Sequence, residues 1–457
     1  MWPAPLAESI ATAMNESVGT CSVRMDDPHH QRGSGTAINE RFAVHNSSRK
    51  DRPVLPNGRH VVGIDIGQKF HAAAGVTAVG QDFGRMISFD NTRAGVDRLE
   101  QILLKPLGGP AKILIGMEAT GHYWMPLYFE LQRRGYEAIV INPIQTRAKF
   151  RSRIRKTKTD KLDARSIARL VLNGEATAAR IPSENVFELR LLTRHRWRLT
   201  SLCGDLQRFA YSLIERIFPE YADVFCKPLL PTGCALINEL GLSPHVLAAQ
   251  PEQVSALIAR VSRNRVAHTT IRTLLARASQ SIGIGRAERV IVDQLRSVIS
   301  LLETIEAQIA ALDDELARRV AALHSPLLSL GLHAPLVATL HAESDPIADF
   351  RRPWQYAAYA GLDPSTCDSG NFKGSHAHIS KRGSPYLRHA LFLAACGLYR
   401  RHRDLQRLYQ RSRKAGHHHT DALTIVAHKL ARIIWRLLTD NRPFRAKAPK
   451  PALTTAK

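Results

Sequence analysis

Residues 60–71 read HVVGIDIGQKFH, and the fold predicted for this chain is built outward from that stretch. Its valines and isoleucines favour a buried β-strand, but an acid, Asp65, stands in the middle of them. A carboxylate inside a buried strand is unfavourable unless a cation or a hydrogen bond compensates it. Asp65 is therefore either a strand-end residue bonded to a nearby loop or a functional acid, and the strand alone does not decide between the two.

Three further acids favour the functional reading. Glu118 ends the apolar run ILIGME, and Asp160 and Asp163 lie in KTDKLDARSIARL, a segment that favours a helix. The i, i+3 spacing puts Asp160 and Asp163 on one face of that helix, where two like charges repel each other. A divalent cation bound between them and the strand acids would relieve the repulsion. The sequence therefore predicts one metal site from these four carboxylates, provided that the strands of Asp65 and Glu118 are neighbours.

The order of the predicted elements favours an α/β domain followed by an all-α remainder, which is the fold class expected for the chain. Asp65 lies within the first strand and Glu118 at the C-terminal end of a later one, where open α/β sheets place their sites. The predicted strands are 61–66, 72–79, 85–90, 112–117 and 137–141, and the predicted helices are 93–104, capped by Thr92, and 122–134.

The charge of the chain indicates a nucleic-acid partner. Its 457 residues include 64 lysines and arginines against 40 acids, a formal net charge of +24. The alternative is a basic protein that is merely soluble or adheres to acidic membranes. The strongest basic run is RAKFRSRIRKTK at 147–158, where no acid balances the cations, so the predicted role is neutralisation of phosphates. Its basic residues are Arg147, Lys149, Arg151, Arg153, Arg155, Lys156 and Lys158.

Several features predict a cytoplasmic protein. The six cysteines are scattered without a CxxC pair, which argues against a disulfide framework or a structural zinc site. No apolar run approaches the roughly 18 residues that a membrane span needs, and the N-terminus lacks the pattern of a signal peptide. Residues 1–57 are polar without a sustained period and favour a disordered extension, while residues 443–457 form a basic tail.

The middle of the chain favours two long helices. In the second of them, apolar residues alternate steps of four and three from Ile291 to Leu316, which is the pattern of a coiled-coil seam. We expect this seam to pair with that of the first helix, within one chain or between chains. The first seam consists of Leu192, Leu199, Leu206 and Leu213 with Leu202 and Phe209 interleaved.

The motifs GIDIGQKFH, GMEATGHYW and KTDKLDARSIARL, followed by GLDP, DSG and ISKRGSPYLR, resemble those of the DEDD transposases of bacterial insertion sequences. These are bridge-RNA-guided recombinases with a RuvC-like domain in front and a serine-bearing transposase domain behind. The resemblance covers about residues 59–442, with the motifs in the order of the family. It implies an RNase H-like (RuvC-like) domain at 58–175 and a mostly helical transposase domain at 326–442. Between them, the two seams predict a helical coiled-coil domain at 176–325.

The resemblance also implies roles for single residues. Asp65, Glu118, Asp160 and Asp163 would be the acids that bind Mg²⁺, with Mn²⁺ as the alternative ion. Ser369, in DSG, would be the nucleophile that forms a transient phosphoserine link to DNA. The implied partners are donor and target DNA, a structured noncoding guide RNA, and further copies of the chain in a dimer or tetramer.

From the residues alone, Ser369 is an ordinary turn residue, since it precedes a glycine in a loop. No acid–base pair adjoins it in the sequence to activate its hydroxyl, so the carboxylates of the other domain would have to serve. Ser380 and Ser384, in ISKRGSPYLR, are rival nucleophiles. The bases of this region favour phosphate binding, and they are Lys373, Lys381, Arg382 and Arg388.

Three functions follow from these observations. The first is an RNA-guided DNA recombinase that cuts and rejoins strands. The second is a RuvC or RNase H-like metal-dependent nuclease, in which the carboxylates cut nucleic acid and Ser369 is structural. The third is a nucleic-acid-binding scaffold or an inactive relic of a transposase. A covalent link between protein and DNA would distinguish the first function from the other two.

Overall fold

The structure is a computed structural model that divides into two compact units, one up to Ile181 and one from Pro182. Of residues 160–162, 368–369 and 372–373 it describes the backbone only. The predictions for residues 1–55 and for the basic run 147–158 lie outside the described residues. Those residues are 56–119, 121–143, 146, 160–179, 181–364, 368–369, 372–373 and 378–445.

The first unit is built on a five-stranded mixed sheet. In chain order its strands are β1 (His60–Ile66), β2 (Phe70–Val76), β3 (Asp82–Asp90), β4 (Ile113–Glu118) and β5 (Glu137–Ile141). Their order across the sheet is β3-β2-β1-β4-β5. The first three form an antiparallel meander, and β4 and β5 continue the sheet in parallel beside β1. The predicted α/β, RNase H-like domain is thereby confirmed as a mixed sheet, with the strand of Glu118 next to that of Asp65.

Helices cover both faces of this sheet. They are α1 (Arg93–Leu99), α2 (Trp124–Arg133) and α3 (Asp160–Leu172). The predicted cap of α1 is confirmed, because Thr92 Oγ1 accepts a hydrogen bond from the backbone N–H of Gly95 at 3.1 Å. Helices α1 and α2 share one buried core with the sheet, and α3 shares a smaller core with the opposite face. The sheet is therefore buried on both sides, which explains why its central strands read as nearly continuous apolar runs.

The second unit is helical, as the fold class predicts. A short hairpin lies between the helix that ends at Tyr359 and the helix that begins at Pro385, and it consists of β6 (Asp368–Ser369) and β7 (Phe372–Lys373). None of the helices that the structure describes is long and apolar enough to cross a membrane. The helices are α4 (Glu184–Ile217), α5 (Tyr221–Val224), α6 (Pro231–Ala235), α7 (Pro244–Ala249), α8 (Pro251–Ser262), α9 (His268–Ser279), α10 (Glu288–Leu323), α11 (Ala334–Ser344), α12 (Pro353–Tyr359), α13 (Pro385–Leu398), α14 (Arg403–Lys414) and α15 (His419–Asp440).

The two long helices α4 and α10 pack against each other within one chain and share a core. The predicted stripe of α10 faces this core, and its residues from Ile291 to Ile305 are buried. On α4, however, the interleaved Leu202 and Phe209 are 44% and 45% exposed, so these two residues do not take part in the packing against α10 within one chain. Each lies about 60° around the helix from the core residue three positions before it, Leu199 or Leu206, and so falls at the margin of the contact with α10. The coiled coil as such stays a prediction.

A buried ion pair joins α4 to the C-terminal helices. Arg194, on α4, donates to both carboxylate oxygens of Glu343, on α11, at 2.8 and 3.1 Å. The Glu343 side chain is fully buried, whereas that of Arg194 is 40% exposed. Ser384, at the start of α13, donates a third hydrogen bond to Glu343 at 2.9 Å. One carboxylate therefore connects three helices that are far apart in the sequence.

Replacing Glu343 with glutamine should lower the free energy of unfolding of the second unit by about 2–3 kcal/mol, because the Arg194 guanidinium loses its anion. Chemical denaturation of the full chain, followed by circular dichroism, measures the change. The matched control is Asp205→Asn, which breaks the exposed pair of Asp205 with Arg208 and should change the free energy by less than about 1 kcal/mol. Equal effects of the two variants would contradict the structural role of Glu343.

Candidate active site

The pairing of β1 with β4 places two of the predicted site acids side by side. The two strands run in parallel with Ile64 opposite Met117, so the next position of each strand puts Asp65 beside Glu118. Residues that are in register on neighbouring strands direct their side chains to the same face of the sheet. Both carboxylates therefore lie on one face, at the C-terminal edge of two adjacent strands.

Two glycines identify that face as the one beneath α3. Gly63 and Gly116 are register partners, each two residues before one of the acids. A Cβ added at Gly63 would collide with backbone atoms of Ala164 and Ala168, and one at Gly116 would lie 2.7 Å from a methyl group of Val171. All three contacts belong to α3. Because side chains alternate along a strand, the acids at 65 and 118 point to the same side as these glycines.

The direction of α3 brings its first turn to the acidic edge of the sheet. Its last residue, Leu172, lies near Gly80 in the turn between β2 and β3, beside the N-terminal end of β1. Its beginning, with Asp160 and Asp163, therefore lies toward the C-terminal ends of β1 and β4. Asp163 is only 7% exposed, and the N-terminal turn of a helix favours negative charge.

The structure thus places the two strand acids on the sheet face that α3 covers, and it directs the first turn of α3, which carries the other two acids, toward their end of the sheet. The side chain of Asp160 lies outside what is described. Among the described residues, no three histidine, cysteine, aspartate or glutamate side chains lie close enough together to hold a metal ion. Convergence of all four carboxylates on one ion therefore stays a prediction. The donor set itself fits a hard divalent cation, which prefers carboxylate oxygens.

A histidine that sequence reasoning missed organises the turn after Asp65. His71, on β2, is 1% exposed, and its Nδ1 accepts a hydrogen bond from the backbone N–H of Gly67 at 3.3 Å. Burial lowers the pKa of His71, and a hydrogen bond with the Asn91 side chain partly opposes that shift. The neutral imidazole therefore closes the β1–β2 turn directly behind the strand of Asp65. The available signal was its place at the end of HVVGIDIGQKFH.

The rival serines of the C-terminal domain have structural partners. Besides its bond to Glu343, Ser384 Oγ accepts the backbone N–H of Leu387 at 3.2 Å and so caps α13. Ser380 donates to a carboxylate oxygen of Asp363 at 2.5 Å. The side chains of Ser369 and Lys373 lie outside the described residues, and the backbone of Ser369 pairs with Phe372 across the β6–β7 hairpin.

The three other bases predicted here to bind phosphate differ in their surroundings. Lys381 and Arg382 are exposed in the loop before α13. Arg388 is half-buried, and its Nη1 donates to the backbone carbonyls of Ala360 and Lys381 at 3.1 and 3.3 Å. Arg388 therefore holds this loop in place, and burial lowers the pKa of its guanidinium. Through its bond to the Lys381 carbonyl, the guanidinium restrains the loop that carries Lys381.

Comparison with known proteins gives two family matches. A sequence model described as a transposase matches residues 62–219, which include most of β1 and all of β4 and α3. A second, described as transposase of the IS116/IS110/IS902 family, matches residues 331–410. The first match thus covers the carboxylate-bearing unit and continues through α4, and the second falls on the C-terminal helices.

Individual relatives are proteins of insertion elements. Over 406 residues the chain is 23% identical to the uncharacterized 44.8 kDa protein of insertion element IS116 from Streptomyces clavuligerus, covering 86% of this chain and 97% of the relative. It is 27% identical over 314 residues to the uncharacterized 42 kDa protein of IS900 from Mycobacterium paratuberculosis, covering 65% and 74%. A 94-residue segment is 32% identical to the uncharacterized 43.6 kDa protein of IS110 from Streptomyces coelicolor, covering 20% and 23%.

A mixed sheet with acids at its edge, a basic chain and these matches together define a class of enzyme, the DNA transposases and recombinases. Such an enzyme acts on DNA. Within this class, the chain belongs to the DEDD transposases of bacterial insertion sequences, in the IS110/IS116 family. The resemblance seen in its motifs is thereby confirmed.

Replacing Gly63 with alanine should lower the free energy of unfolding of the first unit by roughly 1–3 kcal/mol, because the new Cβ must push the backbone of α3 away from the sheet. Since α3 carries Asp163, strand cleavage should fall as well. Thermal denaturation followed by circular dichroism measures the stability.

The control for this variant is Gly397→Ala, on an exposed position of α13 with open space around it. Alanine favours a helix over glycine by about 0.5–1 kcal/mol, so this substitution should be neutral or stabilising. If Gly63→Ala left the stability and the activity unchanged, the close contact of α3 with β1 would be refuted.

Proposed function

We propose that this transposase cuts and rejoins DNA strands at a divalent-metal site formed by Asp65, Glu118, Asp160 and Asp163. The observation that carries the proposal is the parallel register of β1 and β4, which puts Asp65 beside Glu118 on the face that α3 covers. When bound, Mg²⁺ or Mn²⁺ supplies positive charge to the attacking and leaving oxygens of an in-line displacement at phosphorus.

The residues of the chain have separate parts in this proposal. Asp65 and Glu118 offer oxygen ligands from the rigid centre of the sheet, where β1 and β4 are buried on both sides. Asp163 offers a third from a helix whose approach is fixed by Gly63 and by the small residues Ala164 and Ala168. Ligands on strands and helices hold their positions better than ligands on loops. This rigidity supports a site in which the carboxylates keep their spacing while the bonds at the DNA phosphorus break and form.

For the strand-transfer chemistry we propose Ser369 as the nucleophile. A bond forms between its Oγ and the DNA phosphorus while the bond from phosphorus to one deoxyribose oxygen breaks. The serine proton passes to a base, and the departing sugar oxygen takes up a proton. Two observations support this choice over the neighbouring serines: Ser380 is hydrogen-bonded to Asp363, and Ser384 is held by Glu343 while it caps α13.

The basic residues would hold nucleic-acid backbones, and a structured noncoding RNA would select donor and target by base pairing. Exposure of Lys381 and Arg382 supports their part in this. Strand exchange between two duplexes requires several active sites, so we propose a dimer or tetramer, working in the cytoplasm at the nucleoid. The residues proposed to contact phosphates are Arg147, Lys149, Arg151, Arg153, Arg155, Lys156, Lys158, Lys373, Lys381, Arg382 and Arg388.

A second candidate function is a metal-dependent nuclease of the RuvC or RNase H type, without serine chemistry. The observation that favours it is that the strand acids and α3 form one arrangement within the first unit alone. Under this alternative Ser369 is a hairpin residue, and the products are free ends.

Two variants test these alternatives on supercoiled and linear DNA carrying the element's ends. Asp65→Asn should reduce strand cleavage at least about a hundredfold, since even indirect partners of a metal ligand contribute 10–100-fold. Ser369→Ala should abolish covalent protein–DNA adducts, detected on denaturing gels, because no Oγ is left to bond to phosphorus.

The control is Ser380→Ala, which removes a hydroxyl eleven residues away and should still form adducts. Continued cleavage by Ser369→Ala would establish the nuclease and exclude the serine mechanism. Unchanged products from Asp65→Asn would show that the carboxylates take no part, as expected of a binding scaffold.

RNA that co-purifies with the protein tests the guide. We expect sequencing to recover one dominant structured RNA encoded beside the gene, because a specific guide must outcompete bulk RNA. Neutralising Arg151, Arg153 and Arg155 should reduce its yield, with the salt dependence of affinity falling by about 0.7–0.9 units per lost phosphate contact. A random sample of cellular RNA would contradict guidance.

A further inference from the structure

Helix α14 (Arg403–Lys414) carries a row of cations that the proposed site does not use. Arg403, Arg407, Arg411 and Lys414 follow one another at spacings of four, four and three, and all four are exposed. At 100° per residue they fall within an arc of about 80° and span about 16 Å along the helix axis. The helix therefore presents one narrow, strongly basic face.

The charge of this face is uncompensated within the described part of the chain. Asp404 is the only acid in the sequence of α14, RDLQRLYQRSRK. None of the four cations forms an ion pair with a described residue. Elsewhere on the surface, exposed arginines such as Arg260 and Arg436 do pair with acids. Four unpaired cations on one stripe repel each other, and a polyanion would relieve that repulsion.

The opposite face of α14 is firmly held. Leu405 and Ser412 are buried, and the Tyr409 hydroxyl is 2.7 Å from Nδ1 of His419 on α15. Just before the helix, Arg401 donates to the backbone carbonyl of Gly331 at 3.2 Å. The basic face is therefore presented on a fixed scaffold, so a ligand does not have to order it.

We propose that this face of α14 binds the phosphate backbone of duplex DNA. The proposal rests on DNA being the substrate of this enzyme. Duplex DNA is favoured over a single strand, because proteins bind unpaired bases by stacking them on aromatic side chains, and the exposed positions of α14 hold arginine, lysine, glutamine and aspartate only. A duplex carries one negative charge per about 1.7 Å of its length, so it can engage all four cations at once.

The test is the affinity of the full chain for a random-sequence 30-base-pair duplex, measured by fluorescence anisotropy from 50 to 300 mM NaCl without divalent metal. The double variant Arg407→Gln/Arg411→Gln should lower the slope of log affinity against log salt by about 1.8, for two lost phosphate contacts. Affinity at 100 mM NaCl should fall about tenfold or more. Circular dichroism confirms that the helices remain, and Arg403→Gln/Lys414→Gln provides an independent second variant.

The matched control is Arg272→Gln/Arg289→Gln, which removes two exposed helical arginines that lie outside α14. Its slope should stay closer to that of the parent protein. If both α14 variants kept the parent slope, or lost no more than the control, the proposal would be overturned. If they bound the DNA duplex normally but an RNA duplex of equal length weakly, the ligand would be RNA and the DNA assignment wrong. Because no cleavage is measured, a failure here is distinct from a failure of the carboxylate or serine chemistry.

Discussion

The first unit depends on the close contact between α3 and the two central parallel strands. That contact exists because Gly63 and Gly116, register partners on β1 and β4, lack side chains where the helix passes. Ala164 and Ala168 on the helix are fully buried against the gap. The helix backbone can therefore approach the sheet closely, and its acidic first turn points toward the edge where Asp65 and Glu118 lie near the C-terminal ends of their strands. A wider separation would move this acidic first turn away from the edge where Asp65 and Glu118 lie.

The second unit consists of long and short helices, and its interactions must hold all of them in one arrangement. Two apolar cores do most of this, one around α4 and α10 and one around α11, α13 and α15. Glu343 restricts how the helices of the second core can be arranged. A fully buried carboxylate is stable only where a cation and a hydrogen-bond donor reach it, as Arg194 and Ser384 do here. Its ties to Arg194 and Ser384 fix the start of α13, and hence the loop of Lys381 and Arg382. Arg388 completes that loop from within the same helix.

Local order was largely predictable from the sequence, and long-range order was not. The strand around Asp65, the Thr92 cap and the apolar stripe of α10 each depend on residues a few positions apart, which periodicity records directly. The sequence did not decide whether β1 and β4 are parallel neighbours, because their pairing depends on a crossover and on contacts between residues some fifty positions apart. The pair of Arg194 and Glu343 joins residues 149 positions apart and leaves no local pattern. For Leu202 and Phe209, a heptad-like spacing was overridden by the fact that α10 covers one side of α4 only.

The paired glycines also bear on how this enzyme family can diversify. The atoms that a side chain at position 63 would strike belong to the backbone of α3, so no exchange of a neighbouring residue for a smaller one could make room for it. A substitution at position 63 cannot be compensated by a second substitution nearby, whereas the loops and the basic surface can change one residue at a time. Lineages that acquire new target preferences should therefore vary at their periphery while this small patch of bare backbone stays constant.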